Sequence, residues 1–449
     1  MKKLILALSL FLAITINAQF TNPLPDQGFF GGGAGVTWID GAPHYTIRLF
    51  PEIAFANIGV GLDLNLEFTS DGNLRTENFN EFSDYLSIIR YFRYGKKNDP
   101  VYARLGALDH ATLGHGTIIN RYNNSVSYDK RRVGLELDID FGIFGFESVY
   151  SAFGEAGVIG MRGYLRPLQL TSLKDVPILG NLETGATIAM DTHEYADIAP
   201  DNTYVGADNG IYASNDTDYG NMTIWGFDLG LPIVRSKIVN MDLYYDFINI
   251  VDYGNGSAIG LQIAFKGLGL VDIYTKFERR INGDQYQPAY FNSLYEIDRF
   301  SIVDTTTGII RSKAFDLYSS VSPGNGYFGE LTVSIINTFN IIGSYQRLDD
   351  DPKSGILHLS TNIAPEEASF VARAGYDKVR IQDEKDLFTL DDRSYLYAEL
   401  GYKPIPYVLV SMVYHWTFTP ERDADDNILG YIPQKKIEPR VSFVYPFNM

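Results

Sequence analysis

The sequence predicts an all-β chain closed into one up-and-down antiparallel transmembrane β-barrel of about 20 strands. Three observations predict it. First, from Val133 to Phe141 every odd position is large and apolar, while Gly134, Glu136, Asp138 and Asp140 fill the even ones. Successive side chains of an extended segment point to opposite faces, so one face is greasy and the other acidic. Second, the phrase returns at Val60–Phe68, Trp225–Leu231 and Ile259–Phe265. Third, the joints between such runs alternate between short and long, the rhythm of tight turns at one end of a barrel and long loops at the other.

Composition narrows the possibilities. Met1-Lys2-Lys3, the apolar run Leu4 to Ile16 and Asn17-Ala18-Gln19 form a secretory signal pattern with cleavage expected after Ala18, leaving 19–449 as the barrel. No later stretch reaches the roughly 18–20 apolar residues of a spanning helix. A membrane location therefore requires a closed barrel, because an open sheet leaves backbone groups unpaired in lipid. The absence of cysteine excludes a thioether lipid anchor, disulfides and thiolate metal sites. Without Lys2 and Lys3, the 37 basic residues fall to 35 against 55 acidic ones, a net charge of −20. That balance argues against nucleic acid as a partner, since such binding rests on cationic neutralisation of phosphate. Aromatic residues make up 14% of the chain, enough to furnish girdles at both membrane interfaces. No Pro- or Ser-rich linker divides the chain, so one closed body is expected.

The elements follow in order. Phe29-Phe30-Gly31-Gly32-Gly33 leads into a first strand at about 33–40, and Gly41-Ala42-Pro43 turns it. Strands at about 44–54 and 59–69 follow, then a polar loop from Ser70-Asp71-Gly72-Asn73. Runs at about 84–94 and 100–108 flank a short joint, and a long connection, 109–130, precedes the strand at 133–141. Short joints recur at 141–145, 265–269, 336–339, 364–367 and 402–406; long polar insertions are expected at 192–221, 282–324, 381–392 and 419–434. The weakest strand pattern, 312–320, reads as loop. Counting runs near the 9–11 residues a barrel strand needs allows roughly 16 to 20 strands; an even number puts both termini at the periplasmic end.

The last run, Pro439-Arg440-Val441-Ser442-Phe443-Val444-Tyr445-Pro446-Phe447, alternates Val, Phe, Tyr and Phe. Here the chain resembles outer-membrane β-barrel proteins of Gram-negative bacteria, whose final strand carries alternating aromatics. It departs from many of them in ending Asn448-Met449 rather than on the aromatic. The signal ending and the Tyr-, Asn- and Asp-rich loops resemble secreted proteins of the Bacteroidota. The resemblance implies location in the outer membrane, contact with its lipid, and a porin-like role.

Asp109 to Asn124 holds two of the six histidines and falls in the third external loop. In porins the loop at that place folds into the lumen, so the resemblance implies a constriction formed by His110, His115, Asn120 and Arg121. A loop that merely seals or covers the barrel is the plainer reading. The spacing His-x4-His is not a metal motif, for no third ligand stands at a fixed distance. Charges expected to face the lumen are Asp63, Glu67, Glu136, Asp138, Asp140, Arg162, Arg166, Asp272, Lys276 and Glu278. They either line a wet pore that selects solutes or pair with one another and hold the wall.

Asp349-Asp350-Asp351 and Asp423 to Asn427 lack the spacing of a calcium loop and read as solvated tips. No helix follows Gly31-Gly32-Gly33, so it is no phosphate cradle. His358 and His415 have no nucleophile brought to them by the pattern, so neither catalysis nor a cofactor is expected. The leading functional expectation is a channel for small hydrophilic solutes. The alternative is a non-conducting accessory or structural barrel that binds the protein partners of an export complex.

Overall fold

A computed structural model describes residues 28–447, except 40–41, 50, 56, 80–84, 86–87, 96, 98, 109–110, 125–131, 198–202, 206–210, 214–219, 268–269, 294, 305–308, 320–323, 337–338, 364–368, 392, 406–407 and 423–427. The expected signal peptide (1–18), His110, the 423–427 tip and the last two residues lie outside the described ones.

Each strand pairs antiparallel with the next, and the final strand, Ile428–Phe447, returns to the first, Gly28–Ile39, through Gly28↔Phe447 to Gly35↔Arg440. The sheet has 22 strand segments. Two interruptions, at Pro51 and at Asp63, each split one wall into two segments without changing its register with the preceding wall. Gly32 pairs with Leu49 and Phe29 with Glu52 in a single frame. Tyr45↔Phe68 and Glu52↔Gly61 likewise share one. Merging Ala42–Leu49 with Glu52–Phe55, and Ile58–Leu62 with Leu64–Phe68, leaves twenty walls. This is the up-and-down barrel of about 20 strands that the alternation predicts, with both chain ends at the short-turn end.

The two faces are the predicted ones. In Met222–Arg235, Phe227 and Leu229 are 57% and 46% exposed, whereas Asp228 between them is 7% exposed. Phe277 stands outward between the buried Lys276 and Glu278 on Val271–Asn282 in the same way. A greasy exterior around a polar interior inverts a soluble core and suits hydrocarbon outside. The transmembrane β-barrel is the fold of this chain.

Four joints differ from expectation. The predicted insertion at 419–434 is strand for most of its length: Val408–Arg422 pairs with Ile428–Phe447 up to Arg422↔Ile428. Beyond the bilayer a strand needs a ladder partner but no greasy face, so its polar composition imitates a loop. The insertions at 192–221 and 282–324 carry short strands, Thr203–Val205, Ile211–Ala213, Phe300–Asp304 and Ile309–Ser312, which form a separate four-stranded sheet. The reading of 312–320 as loop gives way to a short helix, Ala314–Ser319. At the short-turn end the 166–182 joint is long and built of three 3-10 turns, with Leu170, Leu173 and Leu179 exposed.

Leu229→Arg places a charge on the lipid face. Near the bilayer midplane this costs about 2–4 kcal/mol. Denaturant titration of the barrel refolded in vesicles is expected to show that loss, and a loss no larger than that of Leu229→Ala would contradict the outward orientation.

Candidate lumen and constriction site

The segment 107–124 is folded by its own backbone. Ala111 and Tyr122 exchange both amide bonds, 3.0 and 2.8 Å, and the Gly116 amide donates to the Leu113 carbonyl at 3.0 Å. Ile119 then pairs with Phe291 of the 283–325 loop: the Phe291 amide donates to Ile118 and the Asn120 amide to Phe291. The two loops thus form one body. Its apolar side, with Leu113, Ile118, Ile119, Tyr122, Tyr290 and Phe291, packs on inward wall residues such as Val158, Met222, Ile224, Ile248 and Ile250. A hydrophobic core therefore lies inside the barrel, under the long loops. Small residues make the room: a Cβ at Gly160 would overlap Ile119 and Leu113, and one at Gly185 would overlap Asp228.

Below that core the loop is bound to the wall by polar groups. The Gly114 amide donates to Glu147 at 2.7 Å. His115 Nδ1 lies 2.7 Å from one oxygen of Asp246, and the Thr117 hydroxyl donates to the other at 2.9 Å. The His115 ring stacks on Tyr244 with centroids 4.1 Å apart, and its carbonyl accepts from Lys276 at 2.6 Å. Burial opposes protonation of His115, but the Asp246 carboxylate outweighs it and the pKa is raised. His115 is thus an anchor between loop and wall, and Asn120 a junction between the loops. Arg121 takes a left-handed backbone conformation, φ 51°, and meets Glu330, on the strand beside Lys276, at 2.5 Å.

All of the charges expected to face the lumen except Asp272 are buried or half-buried and ion-paired. Asp63 pairs with Arg48, and Glu67 with Arg75 at 3.0 Å. Glu136 and Asp138 receive Lys97 from the adjoining short turn, at 2.6 and 2.7 Å. Arg166 joins Asp140 at 2.9 Å and Glu183 at 3.0 Å. Arg162 gathers Glu147, Glu183 and Asp228 at 3.1, 2.7 and 2.6 Å. Glu278 takes Lys276 and Arg280, both at 2.7 Å, and accepts from Tyr244 at 2.6 Å. Asp272 is exposed at the short-turn end.

The partners Arg48, Lys97, Asp246 and Glu330 escaped the sequence reading. Asp246 and Glu330 do sit at inward parity in their strands, which is the signal that could have found them. Among the described residues, no group of three or more His, Cys, Asp or Glu could hold a metal ion.

The filling is one-sided. The strands between 134 and 282 carry the packed loops, whereas on the wall formed by 326–447 and 28–68 some described inward groups are exposed beside others, such as Glu330 and Glu399, that are buried. There Arg48 and His358 are 42% exposed and Asp377 is 45% exposed.

Two outcomes follow. Arg162→Ala leaves three carboxylates around a buried vacancy and is expected to cost about 3–5 kcal/mol in urea unfolding of the refolded barrel. For His115 the folded pKa is raised, so its stabilising contribution is complete below the ordinary histidine value of 6.5 and is lost as pH rises through the folded value. The difference in unfolding midpoint between the parent and His115→Gln is expected to shrink over that rise, and a difference constant with pH would exclude the anchor.

No known family model matches the sequence, and no curated protein matches it. Several solved structures align along most of its length. A variant of the Rhodopseudomonas blastica porin is 8% identical over 93% of this chain and 99% of its own, with a TM-score of 0.30. A mutant of the ferric enterobactin receptor of Pseudomonas aeruginosa is 8% identical over 95% and 81%, with a TM-score of 0.42. Wzi of Escherichia coli, an outer membrane protein involved in group 1 capsule assembly and a carbohydrate-binding β-barrel, is 11% identical over 94% and 85%, with a TM-score of 0.37. The transmembrane-barrel form of this chain rests on its own ring of pairings and its apolar outer belt.

Proposed function

We propose that this chain, exported through a cleaved signal peptide, is an outer-membrane channel that passes small hydrophilic solutes through a half-filled lumen. The observation that carries the reading is the wet wall opposite the packed loops. Its inward charges remain in contact with water in a barrel too wide for side chains alone to fill. Arg121 marks the border between filled and open halves and belongs to the constriction, with Glu330 as its counter-charge on the wall. His115 and Asn120 contribute by holding the loop in place rather than by meeting solute. In this reading the chain needs no cofactor and carries no catalysis.

One observation favours the second reading, a non-conducting barrel serving an export complex. The two loops share a core with the wall, as a scaffold would. Single-channel recording in planar bilayers separates the two. The channel reading expects steady ohmic current, reduced when Arg121→Trp adds bulk at the border. A silent barrel that co-purifies with a large partner would support the second reading and sink the first.

A further inference from the structure

The ion pairs of the open half are lopsided. Arg48 is 42% exposed and its partner Asp63 is 3% exposed. Arg121 and Glu330 stand at 38% and 7%, and Arg373 and Glu399 at 28% and 6%. Arg440, on the same inward face as Ser411, is exposed as well. The cause is side-chain length and attachment. On the wall itself the short carboxylates Asp63 and Glu399 stay back, where Ser411 donates to Glu399 at 2.7 Å, while the longer Arg48 and Arg373 extend past them into water; Arg121 comes from the inward loop instead and meets Glu330 from the lumen side. Each pair is neutral as a sum but acts as a dipole with its positive end toward the bore. A passing ion meets the near, solvated charge before the set-back one, and Coulomb energy falls with distance.

We propose that the open half of the lumen selects small anions over cations, although the whole chain carries a net charge of −18. The inference rests on the channel reading and names its solute class: chloride, small carboxylates and phosphate esters share the chemistry. Among the described inward groups of this wall Asp377 is an exposed carboxylate, and it is bound to His358. The carboxylates of the opposite half, Glu147, Glu183 and Asp140, are engaged by Arg162 and Arg166.

The test is the reversal potential of the purified full-length barrel in planar bilayers under a potassium chloride gradient. A cationic face worth about one kT gives a chloride-over-potassium permeability ratio of roughly three. The decisive variants remove both members of a pair, Arg48→Gln with Asp63→Asn and Arg121→Gln with Glu330→Gln, leaving net charge unchanged and no carboxylate stranded. Their folding is checked by heat-modifiable gel migration. The ratio is expected to fall toward one as each exposed guanidinium is lost. A non-selective or potassium-selective parent, or folded pair variants with an unchanged ratio, overturns anion selection while leaving the channel standing. A barrel that passes no ions overturns both readings together.

Discussion

Everything in this structure depends on the closure of the backbone ladder. Hydrocarbon supplies neither donors nor acceptors, so an unpaired N–H or C=O within it costs several kcal/mol. A sheet can meet that demand only if its last strand finds its first. Gly28–Ile39 against Ile428–Phe447 is that seam. The register of Gly28–Ile39 with its neighbour persists across the break at Pro51, and that of 42–55 with its next neighbour persists across Asp63, while the far side of that strand shifts at Gly61/Leu62. A slip of one residue would turn Asp228 and Glu278 toward lipid and Phe227 and Phe277 toward water.

Closing so many strands creates a second problem, because the enclosed space exceeds what wall side chains can fill. The chain solves it unevenly. On one side two loops bring their own hydrophobic core, so the inward residues at the loop ends of several strands are apolar rather than polar. On the other side water remains and the charges stay partly solvated. The junction between these regimes is where buried ions would be most expensive. There buried charges are set against counter-charges, as in the sets around Arg162 and Glu278. These groups bind the loop to the wall with directional contacts that an apolar surface alone could not provide.

A loop held by both a shared core and a charged seam is a fixed obstacle. That matters for any passage, because a rigid border sets the size and field of the remaining space, whereas a loosely tethered loop would leave both undefined. In the proposed channel, long arginines above short carboxylates would set which sign of charge faces that space. Neither property can be read from net charge, which sums over the whole surface without regard to direction.

The sequence by itself determined the barrel, its outward greasy face, the inward parity of its charges and the alternation of joints. Each follows from period-two patterning and turn chemistry, which are local. It also singled out 109–130 through its histidines and glycines. Tertiary structure decided the rest. Asp246 meets His115 across 131 positions, and Arg121 meets Glu330 across 209. No local pattern encodes such partners, because they depend on strand register and on where the ring closes. The same holds for the apolar inner residues Met222, Ile224 and Ile248: their strands predict two faces, but only the folded loops reveal that the inner face is dry at one end. The apparent insertion at 419–434 makes the converse point, since a strand outside the bilayer is specified by its ladder partner rather than by a hydrophobic face.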